Sequence, residues 1–97
     1  MGSEKAIENK LRKATKDMGG IALKFISPGM SGVPDRLILF PGKRLAFVEV
    51  KAPRMQMRPL QVKRKRQLEA LGFSVYCIDR PDQIRQALDE MIGGDAE

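Results

Sequence analysis

An α/β fold, a mixed four-stranded sheet flanked by helices in the order αβββαβα, is predicted by three features of the 97-residue chain. Apolar stripes at helical spacing bracket it, Ile7, Leu11, Ala14 and Met18 at the start and Ile84, Ala87, Leu88 and Met91 near the end. Three short apolar runs with strand character stand together between residues 21 and 50, broken by Gly/Pro turns. A fourth run, 73–78, follows a helical segment, so it should lie parallel to the third through a right-handed crossover. The length allows one core and hence one domain, residues 1–97.

In order, the first helix spans Glu4 to Met18 and is stopped by Gly19 and Gly20. Glu8 borders its buried stripe, a place equally suited to a solvated rim acid and to a site residue. Ile21 to Ile26 alternates and forms the first strand. Residues 27 to 34 are a Gly/Pro/Ser loop, in which Gly29 and Gly32 are free to adopt positive φ and bring amides close to a ligand. Pro34 cannot donate to a sheet ladder, so it marks the entrance to a second strand with Asp35 at its mouth and 37–40 as its body. A turn through Pro41, Gly42, Lys43 and Arg44 predicts an antiparallel hairpin to a third strand, 45–51. After a polar loop, a second helix starts near Pro59 and ends at Gly72, with Leu60, Leu68 and Leu71 as its core face and Lys63, Arg64, Lys65 and Arg66 exposed. The run 73–78 reads as a strand buried on both faces, with Cys77 in the core. Pro81 opens a third helix that Gly93 and Gly94 end, beyond which the terminus should fray.

Composition narrows the function. A formal net charge of +6 and 31% charged residues favour a polyanionic partner, nucleic acid or an anionic membrane surface. The single cysteine excludes an internal disulfide and a cysteine-built zinc site, and fits a reducing interior. Histidine is absent, which removes the commonest general base and every His-ligated metal site. No run approaches a membrane span, no secretory leader is evident, and Met1-Gly2-Ser3 lacks the Ser or Thr at position 6 that myristoylation favours. The expectation is an intracellular, cytoplasmic protein.

Strand alternation puts Phe47, Glu49 and Lys51 on one face of the third strand and Ala46, Val48 and Val50 on the other. With Asp35 at the mouth of the neighbouring strand, two carboxylates and an ammonium converge. That set suits a hard cation, Mg²⁺ or Mn²⁺, with the Val50 carbonyl as the nearest backbone ligand, and suits hydrolysis of a phosphodiester by activated water. Glu49 and Lys51 alone would equally be a surface ion pair worth at most about 1 kcal/mol.

The combination is more specific than its parts. Pro34-Asp35 followed by Glu49-Val50-Lys51 resembles the Pro-Asp...(Asp/Glu)-x-Lys signature of the PD-(D/E)XK nucleases. Gly32-Val33-Pro34-Asp35-Arg36, with Leu60-Gln61 leading to Leu68 and Gly72, is similar to the virus-type replication-repair nuclease (VRR-NUC) domain in its short, stand-alone form. The resemblance implies a restriction-endonuclease-like core, metal binding by Asp35 and Glu49, and a catalytic role for Lys51. It further implies that Glu8 serves the metal site directly or through water and that Gln61 supports it by hydrogen bonding. Lys65 stands where related exonucleases have a tyrosine four residues after that glutamine, so processive end-resection is not implied. A phage-encoded protein acting in a bacterial host fits the same family.

The resulting expectation is a metal-dependent endodeoxyribonuclease acting on branched DNA such as a four-way junction. Lys63, Arg66, Arg36 and Ser31 are the expected nucleic-acid contacts. A homodimer is expected as well: Met30, Met55 and Met57 fall in predicted loops that a monomer would struggle to bury, and two cuts in a junction call for two symmetric sites. The rival readings are a non-catalytic nucleic-acid-binding module on the same fold and a protein-interaction subunit.

Overall fold

The computed structural model describes residues 3–93. Its elements are α1 (Glu4–Asp17), β1 (Ile21–Lys24), β2 (Arg36–Phe40), β3 (Arg44–Val50), α2 (Pro59–Ala70), β4 (Ser74–Ile78) and α3 (Gln83–Gly93). This is the predicted order. The strands form one sheet in the order β1-β2-β3-β4, antiparallel at the first two pairings and parallel at the third. The expected helix stop at Gly94, the fraying terminus and the reading of Met1-Gly2 lie outside the described residues. Among the described residues no helix is long and apolar enough to cross a membrane.

One face of the sheet is closed by α1 and α3. Ile7 and Leu11 from α1 and Ile84, Ala87 and Leu88 from α3 meet Ile38, Phe40, Val48, Val50 and Ile78, all buried. Ser3 starts α1 by accepting a hydrogen bond from Ala6 N at 3.0 Å, and the buried Thr15 hydroxyl donates to Leu11 O at 2.7 Å. Gly20 is where the chain enters β1: a Cβ there would meet Leu39 O and the Phe40 ring at 2.5–2.6 Å, so a side chain is excluded by contact. β1 is shorter than expected and stops at Lys24, although Phe25 N still donates to Asp35 O at 2.7 Å.

The other face departs from expectation. α2 contributes no buried residue; Leu60 and Leu71 are exposed and Leu68 is half-buried. Among the strands the helix packs mainly on β4, and Leu71 lies past its last turn, so the spacing of the leucines does not make a packed stripe. β4 is buried at Val75 and Ile78 alone, while Phe73 and Cys77 are exposed. Cys77 is not in the core because it belongs to this second face. There Phe47 packs against Phe25 at 5.7 Å between ring centroids and edge-on against Phe73 at 6.0 Å.

Candidate active site

β2 and β3 bring the two predicted acids together by register. Arg36 is opposite Val48, and one residue further the same register sets Asp35 opposite Glu49. Such cross-strand neighbours have Cβ atoms about 5 Å apart. Pro34 explains why Asp35 is free to serve: it has no N–H, the ladder ends there, and the Asp35 carboxylate (Oδ2) instead accepts from Val50 N at 3.0 Å. Asp35 is thereby held by the residue next to Glu49.

Glu49 is 2% exposed, yet it is an acid. Its Oε2 accepts from Gln61 Nε2 at 2.9 Å and lies 3.7 Å from Lys51 Nζ. Its Oε1 is buried and has no hydrogen-bond partner among the described residues. Burial, reinforced by the Asp35 charge and opposed by Lys51, pushes the Glu49 carboxyl up to about 7. Lys51 is itself buried, so the pair is not a solvated surface bridge. A buried acid with an orphaned oxygen beside a second, half-buried acid costs free energy unless a cation joins them. The donor set therefore fits a divalent ion. Among the described residues no third acid, cysteine or histidine joins Asp35 and Glu49, so backbone carbonyl and water would complete the shell.

Gln61 is oriented by a second bond. Its Oε1 accepts from Arg58 N at 2.8 Å, capping the start of α2, which leaves its NH₂ group to donate to Glu49. Arg58 followed three residues later by Gln61, with Pro59 between, carries this cap in the sequence itself. One further anchor has no signal in the sequence. Arg64 Nε donates to Ser31 O at 2.7 Å and ties the 27–34 loop to α2. Gly32, at φ +83, allows that loop to touch α2, since a Cβ would stand 2.8 Å from Leu60 Cγ. The close approach expected of Gly32 is thus to Leu60. Gly29 does not take positive φ.

Glu8 and Arg36 are placed differently from their expected roles. The Arg36 guanidinium donates to the Glu8 carboxylate at 3.1 Å and reaches Ala22 O at 3.5 Å. Both side chains are largely buried, on the face that α1 covers. Arg36 is thus a strut between β2, β1 and α1 and offers no free cation to DNA, and Glu8 is held by it outside the Asp35–Glu49 cluster. On α2, Lys65 pairs with Glu69 at 2.9 Å and Arg64 is bonded to Ser31 and Gln67, whereas Lys63 and Arg66 are exposed and without a partner among the described residues. A surface groove between β3, β4 and α3, lined by Arg44, Phe73, Tyr76, Arg85 and Glu90, lies elsewhere and contains none of Asp35, Glu49, Lys51 and Gln61.

No family model matches the sequence. A curated relative named "Putative nuclease p44", from Acyrthosiphon pisum secondary endosymbiont phage 1, is 44% identical over 79 residues, 81% of this chain and 85% of the relative. A solved structure described as "VRR_NUC domain" superposes with a TM-score of 0.84 over 92% of this chain and 97% of that one, at 22% identity. With the element order and mixed sheet of a VRR_NUC domain and a relative that carries a nuclease name, the chain has the VRR-NUC fold and belongs to the family of that putative phage nuclease.

Proposed function

We propose that the protein is a metal-dependent endodeoxyribonuclease, selective for branched DNA and active as a homodimer. The observation that carries the chemistry is the convergence of Asp35, Glu49, Lys51 and Gln61, with Glu49 Oε1 buried and unpartnered. Asp35, Glu49 and the Val50 carbonyl would hold Mg²⁺ or Mn²⁺, which supplies Lewis acidity toward water and phosphate. Val50 N and Gln61 hold the two carboxylates in place. Lys51, 3.7 Å from Glu49, can accept or donate a proton at Nζ beside the attacked phosphorus, or stabilise charge growing on the phosphate oxygens. Glu8 reaches this site only if Arg36 releases it or through a bridging water. Two acids beside DNA would only repel phosphate if binding were the whole task.

Purified protein should cut labelled DNA with Mg²⁺ or Mn²⁺ and not with chelator, and should favour four-way or flapped DNA over linear duplex. Binding without cleavage of any DNA in the panel would leave the non-catalytic module as the correct reading. Equal cutting of all forms would make it a general endonuclease.

Lys63 and Arg66 are the cations of α2 with no competing partner among the described residues, and they are the proposed phosphate contacts, together with Ser31 on the loop that Arg64 pins. Replacing both with Ala should weaken binding and reduce the magnitude of the slope of log affinity against log salt by about 2. An unchanged slope would remove α2 from the DNA surface.

A further inference from the structure

Between Lys51 and Gln61 the chain runs as a strap whose two ends are fixed at Glu49. At one end Lys51 N donates to Ile78 O at 2.9 Å and Lys51 Nζ lies 3.7 Å from Glu49 Oε2; at the other, Gln61 bonds both Arg58 N and the same carboxylate. The strap turns at once. Met55 N donates to Ala52 O at 3.0 Å, closing a four-residue turn with Pro53 and Arg54 at its corners. Pro53 suits the first corner, where its ring presets φ. Arg54 does not suit the second: its φ is +69, and a turn that is positive only at this corner, the type II pattern, favours glycine there. Among the described residues the other non-glycine with positive φ is Lys43, in the hairpin at the far end of β2 and β3. No contact explains why an arginine is kept at so unfavourable a place. Arg54 is exposed, and among the described residues its guanidinium has no hydrogen-bond or ion-pair partner.

We propose that Arg54 is a substrate-binding residue whose guanidinium clamps a phosphate of the cut strand, beside the bond that the Asp35–Glu49 site attacks. Backbone strain at a side chain with no contact of its own points to function and not to folding. Position supports this. Arg54 follows Lys51 by three residues, at most about 11 Å of chain, so it stands at the rim of the site. The cations around it are already engaged: Lys51 lies against Glu49, Arg36 is held by Glu8, Arg64 by Ser31 and Gln67, and Lys65 by Glu69. A DNA strand with its scissile phosphate at the two acids carries further phosphates past that rim, one for each nucleotide. The planar fork of an arginine grips such a group through two parallel hydrogen bonds, and the proline corner fixes the backbone from which it reaches. The proposal rests on the nuclease reading and deepens it, since a second phosphate held at a set distance from the acids aligns the scissile one for attack.

Arg54→Gly isolates the side chain, because glycine is what the turn favours; its melting temperature should match or exceed that of the wild type. With chelator present, its affinity for labelled DNA should fall on the order of 10-fold, and the slope of log affinity against log salt should shrink by about 1. With Mg²⁺ and saturating DNA, the single-turnover cleavage rate should fall roughly 10- to 100-fold, a loss that more DNA does not restore. Arg54→Lys should recover the salt slope but only part of the rate, since an ammonium lacks the fork. Lys43→Gly takes a cation from the other positive-φ turn and should bind and cut as the wild type does. Wild-type protein that binds DNA without cutting it defeats the nuclease reading, whereas the lost affinity and slope of Arg54→Gly would still support the phosphate contact. Unchanged affinity and rate in Arg54→Gly, a lowered melting temperature in that variant, an equal loss in Lys43→Gly, or a wild type that binds no DNA overturns the inference.

Discussion

Asp35→Asn is expected to lower the rate of DNA cleavage by at least about 10³-fold, a loss near 4 kcal/mol of transition-state stabilisation, with the fold intact. The substitution separates chemistry from structure because the amide keeps the shape of the carboxylate. Its oxygen can still accept from Val50 N, and its NH₂ group can donate to Glu49, with which Asp35 now shares unfavourable charge. DNA affinity should be unchanged or slightly higher, since one negative charge near the phosphates is gone. Lys51→Ala should also abolish cutting, but it leaves a buried Glu49 without its cation and should lower the melting temperature as well. Wild-type cleavage by Asp35→Asn, measured at saturating Mg²⁺, would show that the chemistry lies elsewhere.

The parts of the site that the sequence makes legible are those that local rules govern. Pro34 announces the end of a ladder, alternation along β3 separates Glu49 and Lys51 from Val48 and Val50, and a short turn forces β2 and β3 to pair. That Asp35 lies near Glu49 follows from these alone; that it stands directly opposite depends on the turn being three residues, 41–43, and not the four expected. The Glu8–Arg36 pair spans 28 residues and depends on how α1 crosses the sheet, which no spacing encodes. Cys77 and the leucines of α2 mislead for a related reason. An apolar run such as 73–78 reads as buried on both sides, whereas here one side of the sheet has only a partial layer over it.

Thermal stability in chelator should fall as pH rises from about 4.5 to 7, and divalent ion should reverse that fall. The sign follows from Glu49. Its carboxyl is raised from 4.5 to about 7 in the fold, by burial first and by Asp35 second, so the folded chain holds a proton that the unfolded chain has released. Between those values unfolding releases a proton, and stability declines with increasing pH. The contribution of the neutral carboxyl is fully present below about 4.5 and is lost above about 7; its size is on the order of 3 kcal/mol, from about 1.4 kcal/mol for each pH unit. Glu49→Gln, neutral at every pH and able to accept from Gln61, should remove this component from the pH profile. At pH 8 Glu49 is ionised and ready for a cation. Mg²⁺ or Mn²⁺ at about 100 times its dissociation constant should then stabilise the fold by about 2.7 kcal/mol, which for a domain of this size raises the melting temperature by on the order of 10 °C. At pH 5 the Glu49 proton competes and the metal effect should be much smaller. A melting temperature at pH 8 that Mn²⁺ does not move, or that it moves equally in wild type, Asp35→Asn and Glu49→Gln, would remove these two carboxylates from metal binding.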